Sequence, residues 1–159
     1  MGYWGHIVVA RNRRPLSDLA QVRVFGTPDH EQPLTGDWKK LWVMGNHPPD
    51  LGAALRPVVG ATHAPALVAF ILDSDCAVVR GTSPAGAAWG SVINRRTAEA
   101  YDGILEYDTP DHGLSGSLKW GREAGMTPTE PAVRDALNGN GTFAEDQLDQ
   151  LLSALGIRA

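Results

Sequence analysis

The feature that most constrains this chain is a pair of apolar segments that meet at a short polar corner. The first segment covers residues 65–72, the second covers 76–79, and Asp73-Ser74-Asp75 separates them. Successive side chains of a strand point to opposite faces of a sheet, and both sets within 65–72 are apolar. The pattern therefore predicts a buried β-hairpin, and other parts of the chain must cover both of its faces.

The size and composition fit one domain spanning residues 1–159. Of the 159 residues, 43% are hydrophobic and 20% are charged, which is enough apolar material for a core. We expect an α+β fold with a mixed, mainly antiparallel sheet of about four or five strands and helices packed on it. The sheet-forming part is expected at 1–101, and a helical C-terminal part at 102–159.

Hydrophobic periodicity and end signals predict the other elements. Strands are expected at 4–10 and 37–44, with a short strand at 21–25 and a loop at 27–36. Asp50 caps a predicted helix that Pro57 should kink or split. Further helices are expected at 83–100, before Gly125, at 130–137 and at 142–155, the last with a Thr142–Glu145 capping box.

Charge and cysteine usage exclude several classes of function. The net charge is −4 and the basic residues form only short clusters, which disfavours nucleic acid and anionic membranes as partners. No apolar run approaches the ~18 residues of a membrane span, and the start lacks a signal peptide, so a cytoplasmic protein is expected. The single cysteine, Cys76, excludes an internal disulfide and a multi-cysteine metal cluster.

Sequence motifs for nucleotides and for hydrolysis are missing. The chain has no G-x-x-x-x-G-K-[ST] loop, and 139–141 lacks the third glycine of a dinucleotide loop. The segment 113–117 approaches the nucleophile elbow G-x-S-x-G, but Ser117 stands where the last glycine belongs. No catalytic residue, cofactor or metal is therefore predicted from motifs.

The acidic corner is one candidate site. Asp73 and Asp75 flank the predicted turn, and His63 precedes the same hairpin. Together they could hold a hard cation or position a general base. Hairpin geometry is the alternative explanation, because Asp and Ser stabilise turns by bonding nearby backbone amides.

A second candidate is the strand at 37–44. Its Trp38, Trp42 and Met44 share one face, together with Lys40. Trp and Met are enriched at the centres of protein interfaces, so this face is a candidate protein-binding surface. Burial of the two indoles in the core is the alternative.

Several short segments resemble a known group of sequences. These are the opening Met1-Gly-Tyr-Trp-Gly5, the Ala-Pro-Ala-Leu run at 64–67, and Asp73-Ser-Asp-Cys76 followed by Ser83-Pro84. They are similar to small proteins predicted from high-GC actinobacterial genomes, a family without an assigned activity. The resemblance implies no catalytic residue.

Two functional classes follow from the sequence. The first is a non-catalytic protein-interaction module of regulatory, accessory or immunity type, with another protein as partner and with a homo-oligomer also compatible. The second is a small enzyme or a ligand- or metal-binding protein with its site at the Asp73/Asp75 corner near His63.

Overall fold

A computed structural model of the protein describes residues 2–159, apart from the side chains at positions 110 and 111. Six strands form one sheet: β1 (Gly5–Arg11), β2 (Gly26–Pro33), β3 (Trp38–Gly45), β4 (Ala66–Leu72), β5 (Cys76–Thr82) and β6 (Ala88–Ile93). Their order is β2-β3-β1-β4-β5-β6, and every neighbouring pair is antiparallel. The α+β prediction is confirmed, with a slightly larger sheet than expected.

The helices lie mainly in the second half of the chain. They are α1 (Leu51–Thr62), α2 (Arg95–Ala98), α3 (Pro110–Glu123), α4 (Glu130–Asn138) and α5 (Ala144–Leu155). Three short 3₁₀ helices occupy Leu16–Asp18, Ala20–Phe25 and Ile104–Tyr107. Within residues 2–159, none of the helices has the length and apolarity needed to cross a lipid bilayer.

The predicted hairpin is confirmed inside the sheet, between β1 and β6. β4 pairs with β5 along its whole length, and Leu72 lies opposite Cys76. The amide of Asp75 donates to the carbonyl of Leu72 at 2.9 Å. Asp73 and Ser74 have φ angles of 52° and 58°, which is the backbone of a type I′ turn.

Each face of the sheet is covered by different elements. The first face packs on α3, α4 and α5 through a large apolar cluster. The second face packs on α1 and the first two 3₁₀ helices, and on α2 and the third 3₁₀ helix further along β5. The double cover explains why the β4 sequence is apolar at nearly every position.

The predicted helix at 83–100 is wrong, since 88–93 is the edge strand β6 and only 95–98 is helical. Across β5 and β6, Trp89 lies opposite Gly81, and Arg80 lies opposite Gly90. A Cβ on Gly81 would come within 2.1 Å of the Trp89 indole, and one on Gly90 within 2.2 Å of the Arg80 guanidinium. Each large side chain thus lies over a glycine of the neighbouring strand, an arrangement that helical periodicity does not reveal.

Two predictions near the N-terminus are also wrong. Residues 21–25 lie in a 3₁₀ helix, which buries Val22 and Phe25 three positions apart on one side. Residues 27–33, expected in a loop, belong to β2. β2 is an edge strand whose register shifts between Pro28 and His30, and prolines are tolerated at edges and bulges.

Helix starts agree with the sequence at α1 and differ at α5. Asp50 accepts a hydrogen bond from the Ala53 amide at 3.0 Å, as expected for a cap, and α1 continues unbroken through Pro57. At α5 the predicted capping box is wrong, because the helix begins after Phe143 without a side-chain cap. Glu145 instead accepts a hydrogen bond from the Ser74 hydroxyl at 2.6 Å.

Candidate functional site

One feature that suits a ligand is a cavity of about 500 Å³ on the second face of the sheet. We call it the His6 cavity. Its floor consists of His6, Phe70, Val78 and Arg80, and its walls are the segment 47–51 and the 3₁₀ helix Ile104–Tyr107. One wall is therefore the start of α1, and the other is the segment that follows α2.

The floor is positioned by the register of three adjacent strands. His6 of β1 lies opposite Phe70 of β4, and Phe70 lies opposite Val78 of β5. Arg80 is two residues further along β5, so its side chain points to the same face. The pairing of these strands fixes the backbone positions from which the four side chains project.

His6 is a buried polar residue in this floor, with 1% of its surface exposed. Its ring stacks on Phe70 at 5.0 Å between centroids and lies 5.7 Å from the ring of His47. Within the described part of the chain, its Nδ1 has no hydrogen-bond partner. Burial lowers the pKa of His6 to about 4, the charge of His47 acts in the same direction, and the backbone of Phe25 acts against both. The ring is therefore neutral near neutral pH.

Arg80 brings a cation to the same floor. Its Nη1 donates to the Val79 carbonyl at 2.8 Å and its Nη2 to the Tyr107 carbonyl at 3.0 Å. The guanidinium carbon lies 5.7 Å from the centroid of the Tyr107 ring. Burial lowers the pKa of Arg80, while nearby acidic groups, Asp50 first among them, act against that shift.

Both walls of the cavity are tied to the sheet. On one side the His47 ring meets the edge of Phe70 at 4.9 Å, and Asp50 caps α1. On the other side Asp108 accepts a hydrogen bond from the Val92 amide at 3.1 Å and pairs with Arg95. The His6 cavity thus combines an aromatic floor with a guanidinium, a neutral imidazole and one capping carboxylate.

The structure places Asp73 and Asp75 in one turn and does not bring His63 to them. Asp73 accepts from the Gly2 amide at 2.7 Å, and Asp75 accepts from the Tyr101 hydroxyl at 2.6 Å, a bond that raises the pKa of Tyr101 to about 12. His63 ends α1 in a left-handed conformation before β4, whereas Asp73 follows β4 at its other end. Within the described residues, no group of three or more His, Cys, Asp or Glu is placed to hold a metal ion.

The three candidate interface residues share one face of β3 but differ in exposure. Trp38 is 5% exposed and packs against Trp120 in the core. Trp42 is half-buried, with its ring 5.0 Å from that of His30 and 4.7 Å from the Lys40 ammonium. Met44 is 45% exposed. Trp42 and Met44 thus remain accessible to a partner, and Trp38 does not.

Sequence reasoning missed the residues of the His6 cavity. His6 and Arg80 each adjoin an apolar run, Ile7–Ala10 and Cys76–Val79, and a polar residue at such a position is a usable signal. Their meeting depends on the order of β1, β4 and β5 in the sheet, which the sequence pattern does not specify. The sequence signal at Asp50 is that of a helix cap and gives no sign of the cavity.

No family model, curated protein or solved structure matches the chain.

Proposed function

We propose that this chain is a small-molecule-binding domain whose ligand occupies the His6 cavity. The observation that supports this function is a cavity of about 500 Å³ with a buried histidine in its floor whose Nδ1 lacks a partner among the described residues. Ligand sites are typically pockets of about 300–1,000 Å³ with apolar walls and a few polar groups. The size and lining of the His6 cavity fit that description.

An unpaired polar group in the floor of the cavity lowers the stability of the fold unless a ligand bonds to it. An unsatisfied buried polar group destabilises a fold by about 1–3 kcal/mol, and a leucine at position 6 would avoid that cost. A ligand that bonds to the imidazole and stacks on Phe70 and His47 would offset it. The rings of His6, Phe70 and His47 lie within 5.7 Å of one another, so a flat apolar ring suits this part of the cavity.

The test is a screen of small aromatic fragments by NMR with the labelled protein. Binding should shift the amide signals of residues 47, 50, 51, 78–80 and 104–107. Leu51 lines the cavity, and Leu51→Trp should block it and weaken binding. Leu105→Trp is the matched control, because Leu105 is exposed and does not line the cavity. Fragments that shift none of these amides, or that bind Leu51→Trp as well as the native protein, would contradict the proposal.

A protein-interaction function is the second candidate, and the exposure of Met44 beside half-buried Trp42 favours it. The partner to test first is a second copy of this chain, measured by sedimentation of the purified protein. Met44→Asp should abolish self-association, because a carboxylate would have to be desolvated at the interface. Val24→Asp, at another exposed apolar residue, should leave it unchanged. A native protein that sediments as a monomer contradicts this form of the proposal.

A further inference from the structure

We infer that the ligand of the His6 cavity is a small organic anion, an apolar ring that carries a carboxylate, and that the carboxylate pairs with Arg80. The inference rests on the proposed function and names the ligand class of the same cavity. The juxtaposition that supports it is a guanidinium without a carboxylate partner next to an aromatic floor.

The guanidinium of Arg80 is not paired with a carboxylate in the described part of the chain. No carboxylate oxygen lies within 4.0 Å of its nitrogens, whereas Arg95 and Arg134 each form an ion pair. A guanidinium has five N–H donors, and the carbonyls of Val79 and Tyr107 account for two of them. A carboxylate is the group whose geometry matches the fork of the remaining donors.

The guanidinium of Arg80 is held in place before a ligand binds. The two carbonyls and the Tyr107 ring fix the guanidinium, and Gly90 leaves the space that it occupies on β6. A fixed donor loses little conformational entropy when it binds. Arg80 is also half-buried, so solvent screens its attraction to an anion less than it would on an open surface.

The charged groups around the cavity are Asp50, Asp108 and the N-terminus of α1. Asp50 lines it, but one oxygen of that carboxylate already accepts the Ala53 amide. Asp108, which also favours the charged form of Arg80, is engaged by Arg95 and by the Val92 amide. The N-terminus of α1 adds partial positive charge at the Asp50–Leu51 wall. Neither carboxylate is in direct contact with the guanidinium, so the carboxylate of a ligand would pair with Arg80 there.

The experiment compares two probes of the same shape, naphthylacetate and naphthylacetamide, by calorimetry and by NMR titration with the native protein. The acid should bind about ten-fold more tightly than the amide, and added salt should weaken only the acid. The amide signals of 78–80 should shift more with the acid. This comparison needs no variant, so it does not depend on how Arg80 substitutions fold.

Two variants then assign the preference to the guanidinium. Arg80→Met should bring the affinity for the acid down to that for the amide. Asp108→Asn is the control, because it loosens the same wall without removing the cation, and it should keep the preference. A preference that survives Arg80→Met would overturn the assignment.

The outcomes separate this inference from the proposed function. Equal affinities for acid and amide, or neutral fragments that bind while neither probe does, overturn the anion inference and leave the ligand-binding function standing. A cavity that binds no fragment and neither probe overturns both.

Discussion

At position 6 the sheet holds an imidazole, while the next four residues of β1 are all apolar. The ring lies in the same cross-strand row as Phe70 and Val78, so the fold removes it from water and leaves its Nδ1 without a partner among the described residues. Desolvation disfavours the charged form of a base. His6 is consequently the described residue at which binding chemistry and folding stability are most directly linked.

We expect the protein to become less stable as the pH is lowered, because of His6. Its pKa is about 4 in the folded state, against an ordinary value of 6.5. Between these values the unfolded chain binds more protons than the folded protein, so the stabilisation is complete above about pH 6.5 and is lost as the pH falls towards about 4. From about pH 7 to about pH 5 the loss should be about 2 kcal/mol, measured by urea unfolding.

Two variants separate the effect of His6 from that of other groups that take up protons over the same pH range. His6→Phe should flatten the dependence of the unfolding free energy on pH. His30→Gln, at an exposed histidine, should keep the native dependence. Parallel pH curves for the native protein and His6→Phe would contradict the prediction.

At the scale of elements, the junction of β5 and β6 shows how a cross-strand pair can decide secondary structure. Trp89 packs its indole over Gly81, and its neighbour Gly90 accommodates Arg80. Trp89 and Ile93 also occur at a spacing compatible with a helix, which is why periodicity alone predicted one. Strand pairing buries both residues against α3, α4 and α5, and this tertiary gain outweighs local preference.

We expect Gly81→Ala to destabilise the fold by about 1–3 kcal/mol, the usual cost of overpacking. The new methyl group would lie 2.1 Å from the Trp89 Nε1, and the indole is buried and cannot easily move. The free energy of unfolding from urea titration is the measurement. In the Trp89→Leu background the same change should cost clearly less, because the two residues are coupled.

Gly60→Ala is the matched control for that experiment. Nothing lies within 4 Å of a Cβ at Gly60, which is inside α1, so alanine should leave stability unchanged or raise it slightly. Gly81→Ala with native stability would show that the Trp89 contact is not the reason for the glycine.

The elements that the sequence predicts well are those with local signals. The hairpin at 65–82 has two apolar runs and a turn, α1 has Asp50 as its cap, and α5 has a leucine stripe that ends at Gly156. β2 and the His6 cavity were missed because they depend on pairing between distant segments. An edge strand with prolines resembles a loop, and no local pattern shows that His6 and Arg80 share a floor.

At the scale of the whole molecule, the acidic corner joins three distant parts of the chain. The Ser74 hydroxyl accepts from the Tyr3 amide at 2.7 Å and donates to Glu145, and the Ser74 carbonyl accepts from the Ala144 amide at 2.7 Å. The N-terminal segment, the central hairpin and α5 therefore meet at one turn. The polar side chains of the corner bond to these distant segments and to Tyr101, rather than to the nearby backbone amides that the turn explanation named.

The contacts of α5 with the hairpin turn and the sheet predict what happens when this helix is removed. The helix buries Leu148, Leu151, Leu152 and Leu155 in the cluster that covers the first face of the sheet. A chain that ends after Gly141 would expose that face and lose the Glu145 and Ala144 contacts to Ser74. This shortened chain should bind a hydrophobic dye, aggregate on heating and lose its cooperative thermal transition, because a large apolar surface would be exposed. The helix in turn is stable only when it is docked on that surface.

A shorter truncation provides the control. A chain that ends after Ile157 keeps the whole of α5 and the bond from the Ile157 amide to the Leu152 carbonyl, and it loses the hydrogen bonds between Arg158 and Thr35. It should retain a sharp transition close to that of the full chain. Leu151→Ala should fall between the two, at a cost of about 2–5 kcal/mol for a buried leucine. If the chain that ends after Gly141 unfolds as sharply and at the same temperature as the full chain, α5 does not stabilise the sheet.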